Sequence, residues 1–160
     1  MEVQMSHPHT GHATVSRHAE QRTVQTQTTS TRYIAVGAHT DKDFGLFEYV
    51  LAPGTAGAGA HYHRTFSETF YLLDGELDIL NGTEWVTAGA GDLVYVPRES
   101  VHGFRNSTAA AVRFLILFTP GVIAREDYFD GVTARRAAGV EATDAERDAF
   151  ARRFDQYNVR

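Results

Sequence analysis

The sequence predicts an all-β domain, a sandwich or barrel, with short helices at its C-terminal end. Three observations carry this. Between Tyr33 and Phe118 short apolar or alternating runs recur, each closed by turn residues, as expected of strands with one buried face. After Pro120 the spacing of apolar residues changes to a helical one. The length of 160 residues suits one domain with a sizeable core and is short for two.

Met1 to Gln27 is polar and rich in Thr, Gln, Ser and His, with too few apolar residues to bury much. It reads as a mobile tail over residues 1–27, with His7, His9, His12 and His18 solvated and Val24 and its neighbours as an optional edge strand on a dimer partner. The strand runs follow: Tyr33 to Val36, Leu46 to Leu51, Glu68 to Leu73, Glu76 to Leu80, Glu84 to Thr87, Asp92 to Val96, His102 to Arg105 and Val112 to Phe118. His39, among Thr40, Asp41 and Lys42, reads as a surface turn residue. The small, glycine-rich stretch Pro53 to Ala60 reads as a flexible loop at the mouth of the fold. Asp74-Gly75 and Asn81-Gly82 are tight-turn dipeptides, which predicts a three-strand meander from Phe70 to Val86. Pro97 ends the strand before it, because it cannot donate to a ladder. Val122 to Phe129 and Ala142 to Phe154 read as helices. The second opens with Thr143-Asp144-Ala145-Glu146, a capping-box pattern, and sets Phe150 and Phe154 on one face. The helices are expected to cover an open side of the barrel; Gln156 to Arg160 have no assigned place.

Composition excludes several function classes. A formal net charge of -5 without a clustered basic face gives no footprint for nucleic acid or an anionic membrane. No apolar stretch is long enough to span a bilayer, and no basic-then-apolar leader opens the chain. A cytoplasmic protein is expected. With no cysteine, thiolate sites and disulfides are excluded, so a bound transition metal must rest on imidazole and carboxylate.

His61-Tyr62-His63, then Glu68, then His102 is the most informative spacing in the chain. In an extended strand alternate side chains share a face, so His61 and His63 point together and Tyr62 points away. Inside a small barrel each of these groups, if unpaired, would cost about 1–3 kcal/mol, against a net stability of about 5–15 kcal/mol. A divalent cation offsets that cost. Three imidazoles and one carboxylate leave coordination positions open for water or substrate, which points to chemistry. Iron, nickel, manganese, copper, cobalt and zinc all accept such a set. Glu68 is assigned a catalytic role as well, as a general base.

The surroundings of these four residues resemble the cupin family. Its first motif is met at His61, His63, Glu68 and Gly75, and its second at Gly91, Pro97, His102 and Asn106. Two positions depart: Thr55 stands where the first motif opens with Gly, and Glu99 replaces the second motif's middle Gly. Both concern turns rather than ligands. The resemblance spans Tyr33 to Phe118 and implies a single cupin-type jelly-roll β-barrel over residues 28–120. A C-terminal helical extension, 121–160, would pack on it.

Strand alternation also predicts the walls of the pocket. Phe70 and Leu72 share a face with Glu68, Phe104 shares one with His102, and Tyr49, Phe114, Ile116 and Phe118 offer further bulky faces. An aromatic-lined cavity suits a planar substrate. Resemblance to the small single-domain cupins similar to quercetin dioxygenases implies a metal-dependent dioxygenase acting on a hydroxylated aromatic, flavonol-like or enolic small molecule, with dioxygen as co-substrate. A redox-neutral isomerase, a polyketide-cyclase-like enzyme and a non-catalytic small-molecule-binding cupin are the alternatives. The resemblance also implies paired barrels, hence a homodimer.

Overall fold

The computed structural model describes residues 11–139 and 141–160. His7 and His9 therefore lie outside the described residues, while His12 and His18 are exposed. The strands are β1 (Thr23–Gln25), β2 (Thr29–Ala35), β3 (Gly45–Leu51), β4 (Thr55–Ala56), β5 (His61–Tyr62) and β6 (Ser67–Asp74). They continue as β7 (Glu76–Asn81), β8 (Glu84–Gly89), β9 (Leu93–Val96), β10 (His102–Asn106), β11 (Val112–Thr119) and β12 (Tyr157–Asn158). Two helices, α1 (Arg125–Ala137) and α2 (Asp144–Arg152), lie between β11 and β12.

The strands form two antiparallel sheets, one ordered β1-β2-β3-β11-β6-β9 and the other β12-β5-β10-β7-β8, with β4 also paired to β10. Alternation along β3, β6 and β11 drives Phe47, Tyr49, Leu51, Phe70, Leu72, Phe114, Ile116 and Phe118 into the space between the sheets. Leu77, Ile79 and Phe104 meet them from the other side. Burial of this many large side chains is the main force closing the sheets on each other.

Every strand run read from the sequence is a strand, but four expectations are corrected. Thr23–Gln25 of the expected tail form strand β1, which pairs with β2 in the same chain rather than with a dimer partner. Arg22 also ties this segment to α1 through a bidentate pair with Asp130 at 2.7 and 2.8 Å. The three-strand meander is a two-strand hairpin, β7–β8; β6 pairs with β11 and β9 instead. Asp74-Gly75 is thus a corner where the chain leaves one sheet for the other, and Gly75 takes a positive φ of 78° there. The glycine-rich run is not a free loop: the Gly57 amide donates to the Phe104 carbonyl and the Phe104 amide to the Ala58 carbonyl. A Cβ at Gly57 would stand 2.3 Å from the Phe104 ring, so glycine is what lets the backbone lie there. Finally, α1 starts three residues later than Val122 and runs on to Ala137, carrying Gly131 in its interior against the Phe150 ring and ending before Gly139 at φ 63°.

The helix α2 begins on the expected capping box, with the Glu146 amide donating to Thr143 Oγ1 and the Thr143 amide to Glu146 Oε2. Phe150 and Phe154 share a face, with ring centroids 5.2 Å apart. The unplaced C-terminal residues form β12, the outer strand beside β5.

Candidate metal centre

Strand register brings the four sequence-separated residues together. His61 on β5 lies directly opposite His102 on β10, and Glu68 projects inward from β6 of the facing sheet. One donor atom from each of His61, His63, Glu68 and His102 lies within 4.8 Å of the others, and all four side chains are buried. Glu68 Oε2 stands 2.8 Å from His102 Nε2 and 3.1 Å from His63 Nε2.

The other nitrogen of each ring is already committed. Nδ1–H of His61 donates to the Gly59 carbonyl at 2.7 Å, that of His63 to Asp155 at 2.7 Å, and that of His102 to Ser100 at 3.0 Å. A carbonyl oxygen only accepts, so these bonds fix the tautomer and leave three Nε2 lone pairs converging beside a carboxylate. Such a set repels itself without a cation at its centre. Glu68 and the imidazoles shift one another. Burial alone would lower His102, but the Glu68 carboxylate overrides it and raises it. Burial alone would raise Glu68, but hydrogen bonds from His102 and His63 hold it well below the usual carboxylate range. Burial and the neighbouring His102 charge push His61 down to about 3, which keeps it neutral. A divalent ion would answer the carboxylate and the three rings together, so the donor set fits a metal.

The C-terminal segment positions this cluster, which sequence reading missed. Asp155, at φ 55°, gives its carbonyl to His63, while its Oδ2 accepts from the Arg64 amide, the Thr65 amide and the Thr65 hydroxyl at 2.7–3.0 Å. The turn after the second histidine is therefore clamped from a residue 90 positions away. Glu99 holds φ 64°, the left-handed conformation that the motif's glycine would supply. Asn106 is buried and donates to the Leu51, Ala52 and Ala110 carbonyls, so it braces a corner.

A cavity of about 680 Å³ opens onto the cluster, with His61 and Glu68 in its wall. Of the residues predicted to line it, Tyr49, Phe104, Ile116 and Phe118 do. Phe70, Leu72 and Phe114 do not; they are sealed beyond it in the core, since a face shared with Glu68 continues past the cavity floor. Burial pushes the Tyr49 phenol up to about 12, so it stays protonated. The helices do more than cover the barrel. Arg125, Tyr128, Phe129 and Phe150 line the same cavity, as does Gln156 beyond α2. Their one sequence signal was an amphipathic helical pattern, which does not say which residues face a ligand.

The model of the cupin domain family matches residues 47–118. The quercetin 2,3-dioxygenase of Bacillus subtilis (strain 168) is 33% identical over 76 residues, which cover 46% of this chain and 22% of that protein. The aligned stretch thus spans less than a quarter of the relative. Among solved structures, a predicted oxalate decarboxylase of Thermotoga maritima superposes with a TM-score of 0.60 at 19% identity, over 67% of this chain and 99% of that one. The polyketide cyclase RemF of Streptomyces resistomycificus gives a TM-score of 0.57 at 18% identity, over 68% and 80%. At that identity the two likenesses establish fold alone. The strands, the two-sheet barrel and the polar cluster inside it agree with the match of residues 47–118 to the cupin domain family.

Proposed function

We propose that this chain is a metal-dependent enzyme, a dioxygenase acting on a hydroxylated aromatic, flavonol-like or enolic small molecule. One observation supports it above the rest. The cluster opens through His61 and Glu68 onto a cavity and is not enclosed on every side, as a catalytic rather than a structural ion requires. His61, His63, Glu68 and His102 would hold one divalent transition metal, which supplies Lewis acidity toward an ionised substrate hydroxyl.

The chain's own residues do the rest. Phe104, Ile116 and Phe118 exclude water and press on a planar substrate. Glu68, with one oxygen between His63 and His102, accepts the hydroxyl proton. Dioxygen is the co-reactant, and the substrate supplies the electrons. We also propose that two barrels pair across the face holding Leu93 and Tyr95, which are 62% and 60% exposed on the edge strand β9. Sedimentation of Leu93→Asp checks this: the variant should run as a monomer where the parent runs as a dimer. No helix of the described residues is long and apolar enough to cross a membrane, and the substrate is placed in aqueous solution.

Oxygen uptake with quercetin and other flavonols or aromatic polyketides, on protein loaded with Fe, Ni, Mn, Cu, Co or Zn, tests the activity. Uptake that His61→Ala abolishes is the expected result. Conversion without uptake would replace the dioxygenase by a redox-neutral isomerase or polyketide-cyclase-like reaction. Neither uptake nor conversion would leave a non-catalytic binding cupin.

A further inference from the structure

Arg125 opens α1, seven residues beyond the part of the chain that matches the family model. Its side chain is only 4% exposed, yet it belongs to the cavity wall. Nη1 donates to the Phe154 carbonyl and Nη2 to Gln156 Oε1, both at 3.2 Å. Both acceptors are neutral. Nε has no partner, and no carboxylate among the described residues forms a salt bridge with Arg125.

A buried guanidinium is expensive unless an anion answers it. The negative charges near enough to act on Arg125 include Glu68 and Asp155, and both are engaged elsewhere. Glu68 serves His63 and His102, and Asp155 clamps Arg64 and Thr65. What surrounds Arg125 instead is aromatic: its guanidinium carbon lies 4.0 Å from the Tyr128 ring centroid and 4.9 Å from that of Phe118. Arg135, Arg136 and Arg147 add positive charge to the same cavity wall against one further carboxylate, Glu141, in a chain whose net charge is -5. Local charge so opposed to the total favours an anionic ligand.

We propose that the cavity takes a substrate bearing a carboxylate, and that Arg125 receives that group while the planar body lies against Phe104 and Phe118. The inference rests on the proposed site and names its substrate class. It makes Arg125 a binding residue in addition to a brace for the Phe154–Gln156 segment.

Calorimetric titration of benzoate and of uncharged benzamide, under argon, tests it. The protein as purified should bind benzoate at least about tenfold more tightly, one charge-assisted hydrogen-bonded pair's worth. Arg125→Gln should bring the two within about twofold, while Arg125→Lys keeps most of the preference. A Glu68→Gln variant stripped of metal separates this inference from the metal reading: the preference persists there if Arg125 carries it. Equal affinities in the parent protein, an undiminished preference in Arg125→Gln, or loss of the preference in Glu68→Gln would each overturn the proposal. The parent and Glu68→Gln titrations decide the matter even if Arg125→Gln does not fold.

Discussion

The two ends of the barrel interior are built from opposite materials. Beyond the cavity floor Phe70, Leu72 and Phe114 are fully sealed, and rings pack edge to face, as Phe104 does on Phe114 at 5.6 Å. At the open end the same sheets present His61, His63, Glu68 and His102, and the C-terminal segment closes over them with Arg125 and Tyr128 of α1 and Gln156 beyond α2. The apolar end gains free energy from burial; the polar end spends it, and is tolerated because its groups answer one another. The difference teaches that stability and the polar cluster occupy separate lengths of the same strands: along β6, Glu68 belongs to the cluster and Phe70, two residues on, is core.

The sharpest way to break this division is at the ligands. Glu68→Gln and His102→Ala should each reduce bound metal from about one per chain to below about a tenth, measured by elemental analysis, with the fold retained by circular dichroism. Equal metal in parent and variants would remove the centre altogether. Next, Phe114→Ala should cost about 3–5 kcal/mol, while half-buried Phe150→Ala at the cavity mouth should cost about 1–2 kcal/mol. Urea titration reads both, and equal losses would erase the contrast.

Asp155→Ala should fall between these classes. Three hydrogen bonds to its carboxylate are lost, about 3 kcal/mol together, and metal affinity should drop about tenfold or more because the turn after His63 is no longer clamped, although the carbonyl that His63 bonds remains. Competition with a chelator measures the second effect. Acid sharpens the comparison in the metal-free protein. His61 binds its proton at 6.5 when unfolded and only at about 3 when folded, so stability falls as pH drops below about 6.5. The loss deepens below 4.5, where Glu68, depressed in the folded state, no longer contributes fully. Raised His102 acts oppositely, losing its contribution as pH climbs through its folded value. The urea midpoint should therefore peak near neutrality; a flat profile from pH 7 to about pH 4.5 would contradict the depressed His61. The smallest effect belongs to the cap of α2: Thr143→Ala should cost about 1 kcal/mol, seen as a modest shift of thermal melting with metal content unchanged.

Much of the barrel and of its buried polar cluster was legible in the chain, because alternation and short spacings are local properties. The H-x-H pattern fixes a shared face within one strand, and Pro97-to-His102-to-Asn106 fixes a turn and the strand after it. The corner at Asp74-Gly75 misled because a tight turn looks the same whether the next strand pairs with the last or crosses to the facing sheet. Phe70, Leu72 and Phe114 misled for a related reason: alternation assigns a side chain to a face, not to a depth along it.

The sequence by itself determined which residues point inward and which polar groups share a face. Only the tertiary structure decided what those residues meet. Arg125, Asp155 and β12 reach the site from the far end of the chain, through contacts fixed by packing between distant segments. No local pattern encodes such a meeting, because the free energy that brings it about is released by burial of the whole core rather than by the residues that touch.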